Sequence, residues 1–154
     1  MEKKMSKMEY YMKNPNDFYV KINVSENEWF IQNYLENLNN KNIQVPEIIE
    51  YNKESKIMVM KKIGNNNLSH NYGENATDVP NELFEQVVTI VRNLVLNNVE
   101  YPDLTGYNFV EDSNGKVFII DFGHAKIKNT KDILNNIHIQ NICNGIKKWN
   151  PDFK

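Results

Sequence analysis

The chain has 154 residues, a formal net charge of −2, 40% hydrophobic and 25% charged residues, which gives room for one core or for two lobes sharing a cleft, and not for two ordinary domains. That charge balance offers no electrostatic case for nucleic acid or an anionic membrane as the main partner, and no apolar run is long enough to span a bilayer or to act as a leader behind the basic start, Lys3, Lys4 and Lys7. The single cysteine, Cys143, excludes an internal disulfide and a Cys-rich zinc site, so the expected compartment is reducing, cytosol or nucleus.

In chain order, "YYMKNPNDFYVKIN" predicts two strands around the turn-forming Asn14-Pro15-Asn16-Asp17, with Lys21 on the second. "SENEWFIQNYLENLNN" predicts a helix whose start is marked by Ser25 and Glu28 in capping-box spacing. Glu28, Ile31, Leu35 and Leu38 share one face, so Glu28 is either a cap or the buried partner of a cation. "VPEIIEYN" and "SKIMVMKKI" predict a second hairpin joined at Asn52 to Ser55. The polar "GNNNLSHNYGENATD" reads as a loop between a small β-rich lobe and a helical one. Pro80 opens a helix with a broad apolar stripe at 83, 84, 87, 88, 91, 94 and 95. A short hairpin turning at Ser113-Asn114-Gly115 follows, and "KDILNNIHIQNICNGIKKW" predicts one closing helix in which Cys143 sits with Ile139, Ile142 and Ile146 as core.

The chemistry gathers around that last hairpin, in "YPDLTGYNFVEDSNGKVFIIDFGHAK". Asp103 and Asn108 stand before it, and its second apolar run ends on Asp121-Phe122-Gly123. Two acids and an amide supply hard oxygen donors for a cation and a carboxylate to orient a nucleophile. The alternative is that they are turn residues satisfying local backbone groups.

Taken together, the order of elements and these residues resemble the protein-kinase-like superfamily, over nearly the whole length from Tyr19 to about Ala125. "YVKI" resembles the strand bearing the phosphate-binding lysine, Lys21, and Glu28 matches the helix glutamate that pairs with it. "VMKKIG" resembles the hinge, with Met60 as gatekeeper and Lys61 to Ile63 offering backbone groups to a purine. "YPDLTGYN" resembles the catalytic loop H-R-D-L-x-x-x-N, and Asp-Phe-Gly matches outright. The resemblance implies an α+β, two-lobed minimal kinase fold in a single domain, residues 1–154, with about 1–63 as the small lobe and about 64–154 as a reduced large lobe. It implies ATP and Mg²⁺, with Asp103 and Lys21 catalytic, Lys21, Glu28, Met60, Lys61, Ile63 and Asp121 at the nucleotide, and Asn108 and Asp121 at the metal.

Several positions depart from the pattern. No glycine precedes Gly64, so the glycine-rich phosphate loop is absent or rebuilt from "EKKMSKMEYYMKN". Tyr101 and Pro102 replace the usual His and Arg, and Thr105 stands where many serine/threonine kinases carry a lysine. No Ala-Pro-Glu-like anchor follows Gly123. The leading expectation is a minimal serine/threonine kinase acting on a protein substrate, resembling the compact kinases of viruses and bacterial effectors. The alternatives are a non-catalytic kinase-like binding module and a small-molecule kinase of the aminoglycoside-phosphotransferase type, which "DLTGYN" also resembles. An activating protein partner is expected on the reduced lobe near the closing helix.

Overall fold

The computed structural model describes residues 6–64 and 66–153. Helix α1 (Lys7–Lys13) stands where the sequence predicts a first strand. Ser6 Oγ accepts the Glu9 N–H at 3.1 Å, and the following Lys, Met and Glu are good helix formers, which outweighs the β preference of the two tyrosines. The Asn14–Asp17 turn survives as a helix-to-strand corner, its Asn14 carbonyl accepting from both Asp17 and Phe18 N–H at 3.1 Å. Tyr10, Tyr11 and Phe18 pack edge to face across it. Residues 1–5, which include the first four of the thirteen expected to rebuild a phosphate loop, lie outside the described residues.

Strands β1 (Phe18–Lys21), β2 (Ile48–Asn52) and β3 (Ile57–Lys61) form one antiparallel sheet in the order β1-β3-β2. Lys21 lies opposite Met58. Helix α2 (Glu26–Asn37) forms as predicted, with Ser25 Oγ accepting the Glu28 N–H at 3.1 Å. It joins two hydrophobic clusters. Trp29 stacks on Tyr51 of β2, 5.4 Å between centroids, beside buried Val24, Met58 and Met60, while Ile31 and Leu35 enter the main core.

That main core is built on α4 (Asn81–Leu96), whose buried residues are Leu83, Phe84, Val87, Ile90, Val91, Leu94 and Val95. Ile90 joins the predicted stripe because it lies three after Val87 and four before Leu94, while Val88 is only partly buried. The hairpin of β5 (Phe109–Glu111) and β6 (Val117–Ile119) lies against it, as predicted. Gln86 of α4 fastens the hairpin by donating to the Gly115 carbonyl (2.8 Å) and accepting the Val117 N–H (2.9 Å). A short ribbon pairs β4 (Val99–Glu100) with β7 (Lys126–Ile127).

Two expectations fail here. The segment read as loop contains helix α3 (Leu68–Tyr72), capped by Asn67 and carrying the buried Leu68 and Ser69 into the core. One turn of helix with one large apolar residue leaves no periodic signal, which is why it was invisible in the sequence. The single closing helix is two, α5 (Thr130–Ile133) and α6 (Ile137–Cys143). Asn136, three residues past the end of α5, caps α6 by accepting the His138 and Ile139 N–H groups, the competition with the helix backbone that asparagine favours. Ile133, Ile139 and Ile142 turn inward, Cys143 packs half-buried beside them, and Ile137 and Ile146 remain exposed.

Helix α3 packs on the segment from 101 to 108 through Gly106. A β-carbon there would lie 2.2 Å from Ser69 Oγ and 3.1 Å from the Ser69 backbone nitrogen. Gly106→Ala is therefore expected to destabilise the protein by about 1–3 kcal/mol, since the two backbones must part. Urea unfolding measures it, and an unchanged midpoint would contradict this close approach.

Candidate active site

Lys21 ends β1 with its side chain pointing at the first turn of α2 and at Asp121, two residues past the end of β6. Its Nζ lies 2.5 Å from Glu28 Oε2 and 3.3 Å from Asp121 Oδ1. Burial works against the lysine's charge, but the Glu28 hydrogen bond and the Asp121 carboxylate outweigh it and raise its pKa above the ordinary 10.5. The sign follows. A raised lysine pKa stabilises the fold fully below that ordinary value, and the contribution fades as pH rises through the folded-state value. Glu28 is 5% exposed. Of the two roles open to it from the sequence, its carboxylate takes the cation, while its backbone N–H alone uses the Ser25 cap.

Asp121 has a left-handed backbone, φ 64°, and its Oδ1 accepts the Gly123 N–H at 3.2 Å. A non-glycine residue held in that region is strained unless its surroundings fix it. The fixing is visible at Ile120. Its N–H donates to the Asn108 carbonyl (2.9 Å) and its carbonyl accepts the Tyr101 hydroxyl (2.5 Å). Burial pushes the Tyr101 pKa well above its ordinary range, with Asp103, Asp121 and Glu28 adding to it, so this tyrosine stays a neutral donor. Its ring meets Phe122 edge-on at 5.4 Å.

Asn108 is buried in the turn before β5, and its Nδ2 donates to the Asp103 backbone carbonyl at 2.9 Å. That leaves its Oδ1 as a hard oxygen donor. Burial raises the Asp103 pKa, Asn108 opposes the rise, Asp121 adds to it, and His124 opposes it again. His124 Nδ1 stands 3.6 Å from Asp103 Oδ2.

A cleft of about 220 Å³ opens between the sheet and the 108–121 hairpin. Lys21, Glu28, Met60, Lys61, Ile63 and Asp121 all line it, so six of the residues singled out in the sequence converge on one cavity. Asp103 and Asn108 do not line it, although the Asn108 carbonyl accepts the N–H of Ile120, which does. At the back, the Lys61 and Lys62 N–H groups are already taken by the carbonyls of Glu47 and Asp17, both at 2.9 Å. Among the described residues the Ile63 N–H has no backbone acceptor. Gly64 is held at φ +50°, and a β-carbon on it would sit 2.6 Å from the Glu111 carbonyl.

Gln32 escaped the sequence reading. It lies four residues after Glu28 on the same face of α2, is 1% exposed, and donates to the Pro46 carbonyl (3.0 Å) and to Met60 Sδ (3.1 Å). The i, i+4 spacing from Glu28 was the available signal. No group of three or more His, Cys, Asp or Glu side chains among the described residues could hold a metal. One carboxylate and one amide oxygen nevertheless suit Mg²⁺, which keeps several waters and takes the rest of its shell from substrate phosphates. No helix among the described residues is long and apolar enough to cross a membrane.

A family model described as the RIO domain matches residues 2–151. Among solved structures, the kinase PK-1 of the Cydia pomonella granulovirus aligns with a TM-score of 0.56 at 18% identity, covering 71% of this chain and 43% of that one. The Rad53 kinase domain with SCD2 aligns with a TM-score of 0.53 at 24% identity, covering 71% and 44%. The chain thus spans less than half the length of either structure, and at such identities the likeness speaks for the fold alone. No curated protein matches the sequence with significance.

Proposed function

Because the chain belongs to the RIO domain family within the protein-kinase-like superfamily, we propose that it is an ATP- and Mg²⁺-dependent phosphotransferase acting on serine or threonine hydroxyls of a protein. The observation that carries this reading is the meeting of Lys21, Glu28 and Asp121 at the mouth of a cleft whose rear offers Met60 and the Ile63 N–H. Lys21, held by Glu28, would contact the ATP phosphates. Asn108 and Asp121 would hold Mg²⁺, which when bound offsets charge on those phosphates. The acceptor oxygen attacks the γ-phosphorus as the bond to the ADP oxygen breaks, and Asp103 takes the acceptor's proton. A base with a raised pKa suits that task.

The test is transfer of labelled γ-phosphate to protein substrates, with and without Mg²⁺, followed across pH. Transfer should fall on the acid side as Asp103 gains its proton, above the pH at which an ordinary aspartate would do so. Mg²⁺-dependent nucleotide binding without transfer to any hydroxyl would leave the binding-module reading in its place. Transfer confined to small-molecule acceptors would favour the aminoglycoside-type reading. An activating partner at the terminal segment remains part of the proposal, supported by exposed Ile137 and Ile146. Turnover by the isolated protein at about 1–100 s⁻¹, the usual kinase range, would remove the need for one.

A further inference from the structure

Asn150 belongs to none of the motifs, yet it is 3% exposed. Its Nδ2 donates to the Pro102 carbonyl (2.8 Å) and its backbone N–H to the Leu104 carbonyl (2.8 Å), so it grips the residues on either side of Asp103. Its Oδ1 accepts the Asp152 N–H at 3.0 Å. From the other direction Asn108 donates to the Asp103 carbonyl itself, so three consecutive carbonyls are each held by a group from outside the 102–104 stretch.

The neighbours of Asn150 show why it stays there. Trp149 stacks on Phe109 (5.9 Å, 16°) and tilts against Phe84 (5.9 Å). Phe153 meets His124 edge-on at 5.3 Å, and His124 is the residue facing the Asp103 carboxylate. The segment 149–153 therefore runs from the main core to the edge of the site. A buried carboxamide that uses both its donor and its acceptor is costly to disturb.

We propose that Asn150 is a positioning residue, which fixes the backbone from which the Asp103 carboxylate reaches an acceptor hydroxyl. This rests on Asp103 being the base in the reading above. A displacement of about 1 Å at such a group costs on the order of 10²-fold in rate, while the residues lining the nucleotide cleft lie on other elements.

Asn150→Asp keeps the side chain's size and its acceptor, and turns an oxygen toward the Pro102 carbonyl. In this variant and in Asn150→Ala, kcat should fall by about 10- to 100-fold, with KM for ATP and the nucleotide-induced rise in Tm unchanged. Amide exchange at 103–105 should speed up while exchange in α4 does not. A residue that only anchors the chain end would lower Tm and leave kcat of the folded protein alone, and that result overturns the proposal. Should Asn150→Asp fail to fold, Asn150→Ala carries the same readouts. If the wild-type protein transfers no phosphate, the kinase reading has failed, and exchange still decides the matter: faster exchange at 103–105 supports the grip on the loop, and unchanged exchange refutes it.

Discussion

Asp121→Asn is expected to lower phosphate transfer by about 10²- to 10³-fold, the usual cost of removing one charged or hydrogen-bonding group that acts on developing charge. The fold should hardly notice. Asparagine has the same volume, tolerates the left-handed backbone at φ 64°, and can still accept the Gly123 N–H. The lost ion pair with Lys21 is partly exposed, and such pairs contribute about 0–1 kcal/mol. The variant should therefore melt within a few degrees of the wild type, yet lose the part of the ATP-induced Tm increase that depends on Mg²⁺. Wild-type transfer rates in Asp121→Asn would sink the kinase assignment, because no other acid among the described residues lines the cleft except Glu28, which Lys21 occupies.

Lys21→Met should abolish transfer and also cost stability, and the second effect is the more informative. It strands the Glu28 carboxylate, 5% exposed, without its cation. Removing one partner of a buried pair costs about 3–5 kcal/mol, and the 25% exposure of the lysine side chain brings the expectation here down to about 1–3 kcal/mol. Adding Glu28→Gln to Lys21→Met should restore most of the stability at neutral pH and none of the activity. If the double variant is no more stable than the single one, the pair is not what holds this corner together.

The sequence carried the helix of Glu28, the β2–β3 and β5–β6 hairpins and the α4 stripe because each rests on local rules: a serine three before a glutamate, Ser113-Asn114-Gly115 at a turn, apolar residues three and four apart. The kinase-like fold was legible for the same reason, since its motifs are short and lie on separate elements. What failed was decided by tertiary contact or by competition between neighbours. Tyr10 and Tyr11 look like strand residues until Ser6 caps a helix over them. Leu68 gives no period by itself and is buried because Gly106 lets α3 approach. Asn136 divides a pattern that apolar spacing alone would continue. In the site, the residues of the cleft were recognisable by type and order. Gln32 and Asn150 were not, because a buried amide is identified by the carbonyl it meets, Pro46 in one case and Pro102 in the other.

Gly64 sits against the Glu111 carbonyl, Asn67 bridges Val110, and the Ile119 N–H reaches the Gln44 carbonyl at 2.9 Å. The first two hold the connecting segment 64–67 against β5, and the third is a main-chain tie from the small lobe to the large one. A clamshell free to swing about a single strand of chain would tear that third tie on opening wide. On the proposed reading such a tie would act as a rivet at the joint, keeping the purine end at a fixed gauge while the front, where Lys21 faces Asp121, could tilt. A nucleotide would then enter and leave past the side chains at the lip rather than through a swing of whole lobes.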